Sequence, residues 1–264
     1  MVTSIVLGAL IGVLLALTGA GGGILAVPLL VFGAHLGVAQ AGPIALMAVG
    51  MAAGIGALLG LRAGVVRYRA AMLIAGAGML LSPAGLWLAG RIDNRWLSIL
   101  FALVLMHVAW KTYRGATSPA STAVPAPAPA CARSPVTNRF IWTRPCAIAL
   151  GLSGTLAGLL SGLLGVGGGF VMVPVLKRFT DLTMQSVVAT SLAVIALVSV
   201  TGVAASAVSG SLDWSIALPF TGGAVAGMLA GRTVSAHLAG PHLQVGFAAI
   251  AAIVALSMLA RASL

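Results

Sequence analysis

The chain has 264 residues, of which 60% are hydrophobic and only 6% are charged. A soluble domain carries about 25% charged residues, so this composition excludes a water-soluble fold and indicates an integral membrane protein. The net charge is +11, with 14 lysines and arginines against 3 acids. We interpret it as the positive bias of membrane loops and expect no nucleic-acid binding, since no basic helix or aromatic-interleaved basic patch accompanies it.

Five apolar stretches follow one another in the first part of the chain. They cover residues 2–18, 23–36, 39–61, 70–90 and 96–110. The longer ones can each span a bilayer, which takes about 20 apolar residues. The two stretches beside each run of glycines are short, since about 16 helical residues rise about 24 Å against a hydrocarbon core of about 30 Å. We expect a broken or re-entrant helix pair here, followed by three crossings.

A proline-rich segment comes next. Residues 116–136 contain Pro119, Pro125, Pro127, Pro129 and Pro135 among alanine, serine and threonine. Such a segment has no periodic apolar face, and we expect an extended, mobile linker. The predicted organisation is a first membrane repeat at 1–114, a cytoplasmic linker at 115–144 and a second membrane repeat at 145–264.

The second part repeats the first. Its apolar stretches cover residues 146–164, 169–176, 186–208, 214–231 and 243–260, and the sequence GAGGGILAVPLL from Gly19 recurs 146 positions later as GVGGGFVMVPVL from Gly165. The register then holds without a gap. Interruptions at matching places in two halves of a membrane protein indicate a transporter binding site. The predicted fold is an all-α membrane protein of two homologous repeats, with about eight to ten membrane segments.

The arginines and lysines favour inverted over parallel repeats. With the linker in the cytoplasm, inverted repeats leave only Arg91, Arg95 and Arg261 of the 14 positive residues outside. Parallel repeats would place Lys177, Arg178 and Arg232 outside as well and bring Arg261 inside. Cytoplasmic loops are enriched in positive residues, so we expect two re-entrant hairpins that enter from opposite faces and meet near the midplane.

The glycine runs are the predicted substrate site. Glycine leaves backbone N–H groups bare, and the helices expected to begin at Gly23 and Gly169 would direct positive N-termini at the same point. The proposed backbone contacts are Gly21, Gly22, Gly23, Gly167, Gly168 and Gly169. Pro28 and Pro174 follow about one turn later and are assigned a structural or gating role. The alternative is that glycine serves only close helix packing.

Polar side chains within or beside the apolar stretches complete the predicted site. The candidates for substrate binding are Thr18, Gln40, Ser161, Gln185, Thr190 and Ser191, with Ser82 as a gating residue. These groups can donate hydrogen bonds to an oxyanion. The alternative for each serine and threonine is a silent bond to its own i−4 carbonyl. The adjacent pair Thr190 and Ser191 is the strongest candidate, because polar groups deep in an apolar span must find partners.

Several chemistries lack support in the sequence. Glutamate is absent and the acids are Asp93, Asp181 and Asp213, all near predicted loops, so a buried carboxylate relay is unavailable. The two cysteines form no CxxC pair that would indicate metal or redox chemistry. No nucleophile–base set or phosphate-binding loop occurs. We expect no enzyme activity, no cofactor and no metal.

The doubled glycine–proline motif resembles that of the TauE/SafE sulfite exporter family. The resemblance covers nearly the whole chain outside the linker, and the matching motif residues are Gly21, Gly22, Gly23 and Pro28 with Gly167, Gly168, Gly169 and Pro174. It implies a permease of the bacterial inner membrane that moves small sulfur-containing anions such as sulfite, thiosulfate or organosulfonates like sulfoacetate, often outward.

We therefore expect a secondary transporter for such anions, working by alternating access around a midplane site. Two alternatives remain open at this point, an anion channel and a membrane assembly factor without transport. The partners expected are the anionic substrate and membrane lipid, and the glycine-rich faces leave room for a homodimer. The substrate, the direction of transport and the coupling ion do not follow from the sequence.

Overall fold

The structure is a computed structural model that describes residues 2–117, 131, 143–238 and 241–263. The elements are α1 (Val2–Thr18), a 3-10 helix (Gly19–Leu25), α2 (Ala26–Gly33), α3 (Val38–Arg62), α4 (Tyr68–Ala89), α5 (Asn94–Thr117), α6 (Arg144–Leu164), α7 (Gly169–Phe179), α8 (Met184–Val208), α9 (Trp214–Leu238) and α10 (Pro241–Ser263). Most of the predicted linker, at 118–130 and 132–142, lies outside the described residues.

Helix length separates two kinds of element. Six helices, α3, α4, α5, α6, α8 and α9, are long and apolar enough to cross a membrane. In contrast, α2 has 8 residues and α7 has 11. At about 1.5 Å per residue these two rise about 12 and 16 Å, well short of a bilayer core. The prediction of an all-helical membrane protein is confirmed, and α2 and α7 are short as predicted. The prediction of a short stretch on the other side of each glycine run is wrong for α6, whose 21 residues are long enough to cross.

The centre of the bundle is formed by α3 and α8. In the most apolar part of each of these two helices 61% of the residues are buried, against 33% in α4 and 28% in α5. The outer helices present large apolar side chains such as Leu80, which is 79% exposed. Trp87, Trp96 and Trp110 are also exposed, as is typical of membrane interfaces. The described core is therefore centred on α3 and α8.

The two central helices run in opposite directions across each other. Gly50 of α3 packs against Ser199 of α8, and Gly60 packs against Ala189. Residue numbers therefore rise along one helix as they fall along the other. The bounds of α8 lie 146 positions after those of α3, the same offset that separates the glycine runs. The two helices that correspond in sequence are thus antiparallel neighbours in the core.

The outer contacts recur at the same offset. A β-carbon on Gly8 of α1 would strike the carbonyl oxygen of Phe220 in α9, and one on Gly154 of α6 would strike that of Ile74 in α4. Gly154 lies 146 positions after Gly8, and Phe220 lies 146 positions after Ile74. Each half of the chain therefore packs its first helix against the other half, and glycine permits this backbone contact.

A disulfide fastens residue 131 to the bundle. Cys131 and Cys146 are bonded, with their Cα atoms 5.0 Å apart. The amide of Cys131 also donates to the carbonyl of Phe179, at 3.0 Å. The bond joins this point of the linker to the start of α6, beside the end of α7. The spacing of the cysteines in the sequence did not predict this pairing.

Candidate functional site: the two glycine tips

The first glycine run is wound as a 3-10 helix, so the α-helix expected to begin at Gly23 begins at Ala26 instead. Hydrogen bonds of the i→i+3 type occupy backbone groups within such a segment, which leaves fewer of them bare than expected. Gly22 packs on α1, where a β-carbon would lie 2.7 Å from the carbonyl oxygen of Leu14. Pro28 is the third residue of α2, a position at which a missing N–H costs little.

The second glycine run forms turns rather than a helix. Gly165 ends α6 in the left-handed region with φ +68°, and its amide donates to the carbonyl of Ser161 at 2.8 Å. Gly167 and Gly168 follow with φ +72° and +66°, values that side-chain-bearing residues rarely adopt. The next helix, α7, begins at Gly169 as predicted.

Two backbone amides of this second run are unpaired. Among the described residues, the amides of Gly167 and Gly168 have no hydrogen-bond acceptor, although both residues are buried. The first amides of α7 have no acceptor within that helix, and they form its positive end. Pro174 is the sixth residue of α7 and is partly buried.

The tips of the two runs meet in the core. A β-carbon on Gly23 would lie 2.9 Å from Cγ1 of Val49 and 3.6 Å from the carbonyl oxygen of Val166. One on Gly167 would lie 3.7 Å from the same Val49 atom and 2.7 Å from Cγ2 of Ile195. Val49 of α3 therefore separates the tips, and Ile195 of α8 covers the second. The two runs therefore approach each other inside the bundle.

A residue that the sequence reasoning missed lies at this point. Ser199 is 2% exposed, and its hydroxyl has no hydrogen-bond partner among the described residues. A β-carbon on Gly167 would lie 3.5 Å from that hydroxyl, and one on Gly50 would lie 3.0 Å from it. An unpaired buried hydroxyl costs about 1–3 kcal/mol. An isolated serine in the middle of an apolar span was the only sequence signal for it.

Three of the predicted side chains already have hydrogen-bond partners within the chain. Thr18 donates to the carbonyl of Leu14 at 2.7 Å, and Ser191 donates to that of Val187 at 2.8 Å. In both cases the hydroxyl bonds to the carbonyl four residues earlier, which is the alternative to substrate binding given above. Thr190 accepts the backbone N–H of Arg67 at 3.1 Å and so ties the start of α4 to α8.

The remaining predicted side chains fall into two groups. Ser161 and Ser82 are fully buried and their hydroxyls have no partner in the described part of the chain. Ser82 lies at the contact of α4 with α8, near Gly202. Gln40 and Gln185 are exposed in the first turns of α3 and α8, and the structure does not bring them to the tips.

The surroundings of the tips are closed and free of carboxylates. Two partly open cavities occur among the described residues, and the glycines of the two runs are not among the residues that line them. The acids Asp93, Asp181 and Asp213 are all exposed in loops. Asp213 accepts from the hydroxyl and amide of Ser215, which lowers the pKa of its carboxyl. In the described residues no three metal-binding side chains cluster.

Antiparallel core helices, six helices long enough to cross a membrane and two short helices after the glycine runs define a polytopic α-helical membrane protein. The model of the protein family "Sulfite exporter TauE/SafE" matches residues 4–258. The chain belongs to this family of membrane transporters.

The relatives found are bacterial. A "Probable membrane transporter protein" of Xylella fastidiosa (strain 9a5c) is 30% identical over 252 residues, which cover 90% of this chain and 88% of the relative. The "Probable membrane transporter protein YunE" of Bacillus subtilis (strain 168) is 36% identical over 80 residues, or 30% of this chain and 29% of the relative. No solved structure matches the chain significantly.

Proposed function

We propose that the protein is a secondary transporter that exports small sulfur-containing anions, such as sulfite, thiosulfate or an organosulfonate, across a bacterial inner membrane. The observation that carries the proposal is the unpaired hydroxyl of Ser199 beside Gly167, whose amide also lacks an acceptor. Both groups are donors, and an anionic oxygen between them would satisfy both. Hydrogen bonds to a charged partner are worth about 1.5–3 kcal/mol each.

The mechanism we propose is alternating access between inverted repeats. The antiparallel packing of α3 on α8 and the recurrence of contacts at the 146-residue offset support a two-fold relation in the membrane plane. With Val49 and Ile195 packed over the glycines, the structure corresponds to a closed state. Opening to either side requires one half to move away from the other at these two side chains.

We infer the sides of the membrane from the same arrangement and from the positions of the positive residues. Following the helices with α1–α2 and α6–α7 as re-entrant pairs, only Arg91, Arg95 and Arg261 lie on the face away from the linker. The positive bias places the linker face in the cytoplasm. An anion leaving a cytoplasm at negative potential gains about 2.3 kcal/mol per charge per 100 mV. Export is then favourable without a coupling ion.

The test is flux through the purified protein in proteoliposomes, with sulfite, thiosulfate, sulfoacetate, sulfate and chloride compared under an imposed potential. Saturable flux of a sulfur-containing anion, with accelerated exchange when unlabelled anion is on the far side, supports the carrier. Currents far above carrier turnover would favour a channel instead. No flux of any anion, under conditions in which the protein is folded, would favour an assembly role.

A further inference from the structure

A polar cavity lies at the end of the bundle that faces away from the linker. Its volume is about 510 Å³, within the range of about 300–1,000 Å³ found for small-molecule sites. It lies between the turn that joins α2 to α3, the start of α5 and the last turn of α10. The polar residues that line it are His35, Asn94, Arg95, Ser98 and Arg261.

The charge of this cavity is positive. Arg95 and Arg261 line it, and the described acids are not among its lining residues. Asp93 precedes α5 and is exposed to solvent, so it offsets part of this charge. Two of the three arginines at this end of the molecule thus border one cavity. Because positive residues are disfavoured on the non-cytoplasmic face, their placement here calls for a specific partner.

The cavity is held in shape by local contacts. The guanidinium of Arg261 lies 4.9 Å from the centre of the Phe32 ring, a cation–π contact that orients it. The amide of Val38 donates to Oδ1 of Asn94 at 2.7 Å and so joins the starts of α3 and α5. Among the described residues other than glycine, His35 is the one with positive φ, at 55°. Such conformations persist where the surroundings enforce them, often at binding sites.

An apolar cavity adjoins it. Phe32 lines both cavities, and the second, of about 180 Å³, is bordered by apolar side chains including Leu14, Leu25 and Val254. Apolar walls offer no partner to a charged group, so the charged part of a ligand would not bind in this smaller cavity. The apolar cavity suits a hydrocarbon tail, while the cationic one suits the charged head of the same ligand or a free anion.

We propose that the cavity between Arg95 and Arg261 is an oxyanion-binding site on the non-cytoplasmic face, separate from the glycine tips. Its ligand is a tetrahedral or trigonal oxyanion held by the two guanidinium groups, with Asn94 and Ser98 as neutral donors and the start of α5 adding positive potential. The oxyanion has two sources, a free sulfur or phosphorus oxyanion in water or the phosphate of an anionic lipid. This site does not depend on the transport activity proposed above.

The experiment measures binding to the purified full chain in two arms. One arm titrates sodium sulfate and inorganic phosphate into protein in zwitterionic nanodiscs, with chloride at matched ionic strength, and follows the shift in Tm. The other counts phosphatidylglycerol molecules retained by the protein in native mass spectrometry. The variants are Arg95→Gln, Arg261→Gln and the double variant. Arg91→Gln is the matched control, since Arg91 lies 4.0 Å over the Trp87 ring and does not line the cavity.

We expect the double variant to bind at least tenfold more weakly in the arm in which the wild type binds, with Arg91→Gln unchanged. Binding of the free anions identifies a solute site, and retention of lipid identifies a headgroup site. Equal binding by the double variant and the wild type in both arms, or no binding by the wild type in either, overturns the proposal. So does an equal loss in Arg91→Gln. Repeating the titration with Ser199→Ala separates this site from the tips, because that variant should bind here normally.

Discussion

A β-carbon built on Gly167 would lie 3.5 Å from the hydroxyl oxygen of Ser199, so the second glycine run meets α8 at a buried polar atom. Neither this hydroxyl nor the amide of Gly167 has a hydrogen-bond partner among the described residues. Buried polar groups are paired in the great majority of cases. These two unpaired polar groups on adjacent elements mark the place where we propose that the anion binds.

Removing the hydroxyl of Ser199 should weaken substrate binding without destabilising the protein. For Ser199→Ala we expect KM for the transported anion to rise about 10- to 100-fold, from the loss of about 1.5–3 kcal/mol, with an unchanged or slightly higher Tm. Ser206→Ala is the control, because Ser206 is fully buried on the same helix and its hydroxyl already donates to the carbonyl of Gly202 at 2.8 Å. Similar KM values in the two variants would remove Ser199 from the site.

Adding a methyl group at Gly167 should block transport. In Gly167→Ala the left-handed backbone costs about 1–2 kcal/mol, and the new carbon would lie 2.7 Å from Cγ2 of Ile195. Gly210→Ala supplies the control, since Gly210 has φ +68° with nothing within 4 Å of the added carbon. We expect both variants to lose stability in thermal unfolding and only Gly167→Ala to lose flux. Loss of flux in both would attribute the effect to strain alone.

The inverted arrangement makes a prediction about the loop between α8 and α9. A cysteine at Ser211, in a background without the native cysteines, should react with a membrane-impermeant maleimide added outside intact cells. A cysteine at Ala63, between α3 and α4, should react only after the membrane is opened. Both positions are exposed. Protection of the cysteine at position 211 in intact cells would instead indicate parallel repeats.

The disulfide tests the assignment of the linker face. Disulfides persist in oxidising compartments, whereas the topology that we propose places Cys131 and Cys146 in the cytoplasm. We therefore expect alkylation in living cells to trap both thiols reduced. In the oxidised, purified protein, a loop of 15 residues corresponds to about 3 kcal/mol of stabilisation, so a reductant should lower Tm. Thiols that are trapped as a disulfide in cells would place this face outside and reverse the predicted topology.

The structural features predicted from the sequence are those that depend on hydropathy and on the spacing of residues. The short helices around Pro28 and Pro174 and the long central spans followed from apolar length and from the repeated glycine motif. The start of α7 at Gly169 followed from the expectation that a helix resumes after a glycine run.

Other features depend on contacts that no local pattern encodes. The importance of Ser199 comes from its packing against Gly50 and Gly167, which requires the crossing of α3 and α8. Thr18 and Ser191 each had two possible roles, a hydrogen bond to the carbonyl four residues earlier or a hydrogen bond to substrate, and the local sequence did not decide between them. The cavity with Arg95 and Arg261 joins two helix ends that are distant in sequence.

The most direct test of the central claim is the reactivity of a single cysteine at position 199. In Ser199→Cys, without the native cysteines, the thiol should react with the small anionic reagent sulfonatoethyl methanethiosulfonate in the functioning protein. The transported anion, at saturating concentration, should slow that reaction at least tenfold, while an equal concentration of chloride should not. A thiol that never reacts, or that reacts at the same rate with and without the anion, would contradict a substrate site between the glycine tips.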